Sequence, residues 1–481
     1  MLDNRVFIIN RSELEDRFDP IFYASDLAKF NTNIFKSVLL KSIVKYFKSG
    51  FGAGKQEQTD AKNGIIQIRP TNIDENGFLK YAKNIYLPID KSSIRIEVDD
   101  ILFNNTNSQE LVGKTAILKE NKELTFSNHI TIIRVRKEAI LPDYLWIILN
   151  MYQRNRIFYS ICTNWNNQSG IGLEVLKKLK IPLPPLEIQQ QIVDLYEKAY
   201  TEKQQKEAES QKLLDSIDDY ILGELGITLP KEEEHLLQNT DKNSSYNLDN
   251  DNPLVKKGRL FLTNLSEVTG KRIDPDYNSK MTYLFSNKGF YNHILLKELI
   301  TKQPQYGANE EAKDLENDTD IRYIRITDID ELGDLKNNNK KTANKVETKY
   351  FLNYNDLLFA RSGSVGRCYI HKKTNEISIF AGYLIRFIVN TDICNPDYIF
   401  YYCNSNLYKL WVSAIERPAV QSNINAEEYK SLPIPLPPLE KQNEITTHIS
   451  KIRREANVLM QQGKEILEQA KQEVERMILG N

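Results

Sequence analysis

No two of the four cysteines (Cys162, Cys368, Cys394, Cys403) form a Cys-x-x-Cys pair, and the five histidines are scattered, so no zinc-ligand spacing exists. That argues against a zinc ribbon or a disulfide framework and suits a reduced compartment without structural metal. A run of the ~18 apolar residues that a membrane span needs is also missing. The start MLDNRVFIIN has neither the basic region nor the apolar stretch of a secretory signal, so a cytoplasmic location away from membranes is expected. An excess of charge of one sign is absent too: Lys plus Arg number 64 against 65 Asp plus Glu, for a net charge of −1. No global basic field advertises nucleic acid, although a local patch or a partner subunit can supply one. The 481 residues, 41% hydrophobic and 27% charged, are ordinary for a globular protein and too many for one ordinary core.

What is present is a phrase written twice. IPLPPLE stands at Ile181–Glu187, with Gln189 beyond it, and again at Ile434–Glu440, with Gln442 beyond it. If the phrase marks a repeat, the text upstream should align at nearly the same offset. It does. IIQIRPTNIDENGFLK (65–80) and IRYIRITDIDELGDLK (321–336) agree at ten of sixteen positions, at an offset of 256. Smaller matches flank this block: Asp100-Ile101-Leu102-Phe103 with Asp356-Leu357-Leu358-Phe359, Pro142-Asp143-Tyr144 with Pro396-Asp397-Tyr398, and Gln168-Ser169 with Gln421-Ser422. The chain is two copies of one module.

Each copy begins with short apolar runs broken by Gly, Asn and Asp, such as 65–68, 94–98, 101–103 and 130–135, which read as strands of an α/β domain. A helix is expected from Pro142, with Asp143 favourably placed at its N-terminal dipole. After the Pro-rich phrase comes a long polar segment without proline. In the second copy Ile445, Ile449, Ile452, Ala456, Leu459, Gly463, Ile466, Ala470 and Met477 follow a heptad spacing broken only at Glu473. The aligned positions of the first copy are Ile192, Tyr196, Ala199, Lys203, Lys206, Ser210, Leu213, Ile217 and Tyr220. Two helices of about 40 residues, roughly 60 Å each, are expected. Paired antiparallel, they would set the two globular domains at opposite ends. Pro182, Pro184 and Pro185 forbid helix and make a stiff joint before each long helix. The expected organisation is a globular domain over 1–180, joint and helix over 181–226, a polar linker over 227–257, a second globular domain over 258–432, and joint and helix over 433–481.

With these features the chain resembles the specificity subunits of type I restriction–modification DNA methyltransferases. The resemblance rests on the two IPLPPLE-x-Gln joints with their long helices, the Gln-Ser elements at 168–169 and 421–422, and the twofold repeat. It implies two α/β target-recognition domains, each reading one half of a split, asymmetric double-stranded DNA target. It further implies that two long antiparallel coiled-coil helices separate them in a pseudo-twofold arrangement, set the spacer and dock two methyltransferase subunits. Chemistry would then belong to the partners: S-adenosylmethionine to the methyltransferase, and ATP and Mg to nuclease subunits where restriction accompanies modification. The chain itself is expected to hold no cofactor and to catalyse nothing.

Readers of bases need Arg, Lys, Asn, Gln, Ser or Thr on loops that can enter a groove. The Gly-rich loop 50–59 offers Lys55, Gln56 and Gln58, with Lys36, Lys41, Lys45 and Lys48 nearby; it reads equally as a solvated helix face and a turn. Asn105, Asn107 and Gln109 in the first copy face Arg361, Ser362, Ser364 and Arg367 in the second, a difference suited to different bases. Lys114 and Arg367 suit phosphate. Arg69 and Arg325 are identical in both copies and suit a phosphate contact or an internal ion pair. Arg417 and the paired Gln168 and Gln421 complete the candidates. The acidic run 310–320 reads as a surface loop turned from DNA. No catalytic set survives: the DPDY, NPDY and LPDY stretches lack the second proline of an adenine-methyltransferase motif, and Gly113-Lys114-Thr115 lacks the upstream glycine of a P-loop. From another class, a coiled-coil scaffold with protein-binding heads fits the near-neutral charge. Within the family, a specificity chain for one fused methyltransferase–nuclease polypeptide is the other alternative.

Overall fold

The computed structural model describes residues 11, 34–89, 94–166, 168–229, 272, 277–278, 280–281, 284, 289–317, 320–336, 338–416 and 422–480. Most of the polar linker after residue 229 lies outside them. The chain divides into two compact units, 1–207 with 460–481, and 208–459.

The centre of the first unit is an antiparallel sheet with strands Val44–Ser49, Ile130–Val135, Ile101–Asn104 and Thr115–Ile117 in that spatial order. Its apolar runs do not alternate with polar residues because both faces are covered. Ile101, Phe103, Ile117 and Ile133 face the helix Pro142–Arg154. Leu102, Ala116, Ile130 and Ile132 face a second core with Ile68, Leu124 and Phe126. That core belongs to a smaller sheet in which Gly64–Ile68 pairs antiparallel with Tyr86–Pro88 and parallel with Leu124–Phe126. Period-two side-chain alternation turns one continuous hydrophobic word into two cores. The second unit repeats the plan, with strands Gln305–Tyr306, Leu384–Phe387, Leu357–Ala360 and Cys368–Ile370 in order and a parallel pair Arg322–Ile324 with Ser378–Phe380.

The most similar block of the two copies is a docked turn. In the first unit Asp74 Oδ1 accepts the backbone N–H groups of Asn76 and Phe78, and Gly77 takes φ of 83°. In the second, Asp330 Oδ1 accepts from Leu332 and Asp334, and Gly333 takes φ of 79°. A Cβ on Gly77 would lie 2.6 Å from the Thr115 carbonyl oxygen, and one on Gly333 2.5 Å from that of Cys368. Left-handed backbone and close approach together require glycine there.

The Pro-rich joints are strands as well as stiffeners. Lys180–Pro182 pairs antiparallel with Ser37–Leu39, and Pro433–Pro435 with His293–Leu295, in two-stranded sheets where the missing proline N–H is tolerated. Gln189 and Gln442 explain the last letter of the repeated phrase. Each is fully buried at the start of its helix. Gln189 Nε2 donates to the Pro184 carbonyl at 2.9 Å, and its Oε1 accepts the Leu141 N–H at 2.9 Å. Gln442 does the same with Pro437 at 2.8 Å and Asn395 at 2.8 Å. One amide thus ties the joint to the residue preceding the helix at Pro142 or Pro396, and satisfies two backbone groups that burial would otherwise strand.

The long helices span Leu186–Leu225 and Leu439–Leu479. Each unit contains the beginning of one and the end of the other, so the segments run antiparallel in both. In the first unit a Cβ on Gly463 would meet the Lys203 backbone at 3.3 Å, and Lys206 Nζ donates to Gln462 Oε1 at 2.8 Å. In the second, Ser210 Oγ donates to the Ala456 carbonyl at 2.9 Å. Exchanging the copies carries Ser210 onto Gly463 and Ala456 onto Lys203, so the close approaches are two versions of one crossing. The expected seam changes at the C-terminal end. Leu467, Val474 and Ile478, one residue beyond heptad positions, are buried and join the core of the first unit, while Ala470 stays buried at its own heptad position. There the helix has two neighbours, its partner helix and a globular domain, and the covered stripe moves accordingly.

Candidate nucleic-acid interface

In the first unit three separate stretches of sequence form one surface. The hairpin Thr163–Trp165 with Gln168–Gly170 pairs through its second strand with Thr106–Asn107, in the register Ser169↔Asn107 and Gly170↔Thr106. Gln109, Asn164, Trp165, Asn166, Gln168 and Ser169 line a concave, mostly polar surface there. Trp165 is half exposed and its ring lies over Gly170. Gln168 projects into solvent, while Ser169 is buried and donates to Asn164 Oδ1 at 2.6 Å. Asn107 and Gln109, expected beside one another, are thereby joined by Gln168. Asn105 is not available with them: its Nδ2 donates inward to Thr131 Oγ1 at 2.8 Å and the Asn128 carbonyl at 3.3 Å.

The second unit keeps this frame with other side chains. Ser362, buried, bridges to Asn423 where Thr106 bridges to Gly170. Arg361 stands where Asn105 stands, its guanidinium 4.9 Å from the ring centre of Tyr306 and its Nε donating to Asn423 Oδ1 at 3.3 Å. Ser364 is half-buried in the turn, its carbonyl accepting the Arg367 N–H. Arg417 and Gln421 lie outside the described residues.

Other candidates are placed elsewhere. Lys55 and Gln56 are exposed on the short turn Lys55–Glu57, and Gln58 is half-buried after it. Lys45 and Lys48 are exposed on a strand, Val44–Ser49, and Lys41 on the four-residue helix Leu40–Ile43 before it. Where a helix face is one of two equal readings for this cluster, an edge strand stands instead: Val44 and Phe47 pack into one core and Tyr46 into the other, around a bulge. Arg69 donates to Gln67 Oε1 at 3.2 Å, and Gln67 Nε2 donates to the Phe51 carbonyl at 2.9 Å, so this pair pins the Gly-rich loop. Arg325 is ion-paired with Asp328 at 2.7 Å. Of the two roles open to this identical pair, the second arginine has the internal one. Arg367 Nη1 donates to the Ile329 carbonyl at 2.6 Å. Lys114 is half-buried; burial and then Lys80 lower its pKa, against Asp74 and Glu75. Both therefore turn toward the docked turn of their own unit.

The acidic run is a correction. Gly50 and Gly307 donate to equivalent carbonyls, of Ile130 and Leu384, so the segment after Gly307 occupies the place of the loop 50–59. Ala312–Asp314 is a strand paired with Lys341–Ala343 rather than a loop, and Lys341 pairs with Asp314 across it. Lys341 on the facing strand thus offsets one carboxylate of the run, Asp314. Trp165, Asn164, Tyr306 and Asn423 were missed by residue chemistry alone. The aromatic and amide density of TNWNNQSG (163–170) was the available signal.

Two like domains carry different polar side chains on one frame, which is the form of a duplicated recognition module. The family model for the type I restriction modification DNA specificity domain matches the chain twice, over residues 32–213 and 291–469. The chain belongs to that family. It is 35% identical over 159 residues to the type I restriction enzyme MjaX specificity subunit of Methanocaldococcus jannaschii, a match covering 32% of this chain and 37% of that protein. Over 196 residues it is 24% identical to the EcoBI specificity subunit of Escherichia coli, covering 38% of this chain and 41% of that one. The chain thus spans under half the length of these curated relatives. A solved chain from a type I restriction–modification system aligns over 93% of this chain and 97% of its own, at 14% identity and a TM-score of 0.49. Among the described residues no group of His, Cys, Asp and Glu could hold a metal ion, and no helix is long and apolar enough to cross a membrane.

Proposed function

We propose that this chain is the DNA-specificity subunit of a type I restriction–modification complex. Each globular domain reads one half of a bipartite, asymmetric target, and the long helices set the spacer and dock methyltransferase subunits. The observation that carries the reading is one backbone frame presenting Asn107 and Gln168 in one copy, beside a Gln109 whose Nε2 is tied to the Tyr159 carbonyl, and Arg361 with Asn423 in the other. Amides pair with adenine edges and arginine with guanine edges in the major groove, so such a difference suits two unlike half-sites. Exposed lysines such as Lys55, Lys45 and Lys48 suit phosphate contacts, which position a protein on DNA without reading it. The chain brings specificity and no chemistry of its own. S-adenosylmethionine belongs to two methyltransferase partners, ATP and Mg to nuclease subunits where they join, and the assembly works in the cytoplasm.

The test is to express the chain with its methyltransferase partner in a host lacking adenine methylation and to map modified adenines by single-molecule sequencing. The expected outcome is a split motif with one methylated adenine in each half, on opposite strands. A verified soluble complex that methylates nothing would overturn the reading.

A further inference from the structure

We infer that Arg361 reads a guanine in the half-site of the second domain, with Tyr306 and Asn423 as its positioning residues; this rests on the DNA-specificity reading above. The backbone at Arg361 is fixed. Its N–H donates to the Tyr383 carbonyl and its carbonyl accepts the Ile424 N–H, both at 2.9 Å. Asn105 makes the equivalent pair of bonds, to His129 at 3.0 Å and from Ile171 at 2.9 Å, so the two residues occupy one structural position.

Only the second copy uses that position to present a side chain. The guanidinium lies against the Tyr306 ring, and Nε is engaged by Asn423. The ring is itself held, since the Tyr306 hydroxyl accepts the Ala426 N–H at 3.1 Å and the residue belongs to a strand paired with Leu384–Phe387. With the Tyr306 ring beside the guanidinium and Nε occupied, the Nη1/Nη2 edge is the part left to address a ligand, and among the described residues it makes no hydrogen bond. Two parallel N–H donors in a fixed plane match O6 and N7 of guanine. A phosphate can also take an arginine fork, but such a contact carries no sequence information, so the two readings differ in whether one base position or all positions respond when Arg361 is changed. In the first copy Gly170 replaces Asn423 and Asn105 turns inward to Thr131, so that domain must read its bases from neighbouring positions.

The experiment uses the full chain in its methyltransferase complex, comparing methylation maps of the native form with Arg361→Lys, Arg361→Ala, Tyr306→Leu and Asn423→Ala. The expected result is a G·C pair in one half-site at which discrimination falls roughly tenfold to a hundredfold in both Arg361 variants, with every other position unchanged. Tyr306→Leu and Asn423→Ala relax the same position by a smaller factor. An unchanged motif, or a uniform loss of methylation with no single position relaxed, overturns the inference while leaving the specificity reading standing. If Arg361→Ala does not yield a complex, Arg361→Lys keeps the charge and decides the question. A native complex without a bipartite motif overturns both.

Discussion

The two docked turns are spelled almost alike yet anchored differently. In the first unit Phe78 stacks on Tyr200 of the first long helix, ring centres 3.8 Å apart and planes 14° apart. In the second, Asp334 aligns with Phe78 and Arg453 with Tyr200, and they form an ion pair at 2.6 Å. An aromatic stack in one place is a salt bridge in the other, and the turn sits on its helix in both. The duplication preserves where elements touch and leaves the touching chemistry free. The same freedom on the surface gives Asn105 one role and Arg361 another. Among the letters that stay identical, Asp74 with Asp330 and Gly77 with Gly333 are ones the backbone geometry needs.

The comparison breaks most visibly at the buried carboxylates behind the central sheets. Asp100 is fully buried and holds Arg134 through two hydrogen bonds of 2.6 and 2.7 Å; among the described residues the one other acidic partner of Arg134 is the exposed Glu97. Asp356 holds Arg386 by one bond of 3.2 Å, and Arg386 also donates to the carbonyls of Phe351 at 2.6 Å and Lys349 at 3.2 Å. Removing one member of a buried pair leaves the other charge uncompensated, at about 3–5 kcal/mol. Asp100→Ala should therefore destabilise the first unit by about that amount. Asp356→Ala should cost the second only about 1–3 kcal/mol, the scale of an unmet buried hydrogen bond, because Arg386 keeps its carbonyls. Hydrogen exchange of the full chain reads the two units separately. Equal losses of protection would show that those carbonyls do not substitute.

A smaller effect is expected at the docked turns. Phe78→Ala removes a stacked ring and apolar contact with Trp146, 5.0 Å away, and should cost about 2–3 kcal/mol. Asp334→Ala removes an ion pair whose carboxylate side chain is 53% exposed, where solvent screening limits the loss to about 0–1 kcal/mol. Urea denaturation of each variant checks the ranking, and a larger loss for Asp334→Ala would reverse it.

The repeat, the joints, the long helices and the α/β class were legible because they are written in local signals: identical words, proline, heptad spacing and apolar runs. What escaped depends on pairing across the chain. Nothing near Gln168 says that its strand adds to Thr106–Asn107, and nothing near Lys45 says that its segment is an edge strand, because strand choice is set by tertiary neighbours more than by propensity. Gln189 stands out in the sequence as part of a repeated phrase, but nothing near it says what its amide does. Only the placement of Leu141 and Pro184 reveals it as a buried clasp. The shift of the buried stripe to Leu467 and Val474 was likewise invisible to a heptad count, which assumes a single partner.

The smallest difference between the copies is one of pH. Leu118 and His371 hold the same place, each donating its N–H to the carbonyl of the buried aspartate, Asp100 or Asp356. Both are 1% exposed. Burial pushes the His371 imidazole below its ordinary 6.5; a hydrogen bond with the Lys373 backbone and the Glu376 charge pull it part of the way back, while the Lys373 and Arg322 charges push it down. A neutral ring suits the geometry, since its Nδ1 lies 3.0 Å from the Tyr369 hydroxyl and can accept from it. The folded second unit thus stays unprotonated here while the unfolded chain takes up a proton as pH falls through about 6.5. The unfolded state then binds more protons, so the contribution is complete above that pH and is lost progressively below it, toward the lowered native value. Unfolding followed at pH 7.5 and pH 5.5 should show the second unit losing more stability than the first in this window. Replacing His371 with the residue the first copy already carries, His371→Leu, should remove part of that slope and leave the first unit unchanged. An unaltered slope would mean that the buried imidazole is already matched by the protons around it, and that the two copies are alike in this respect.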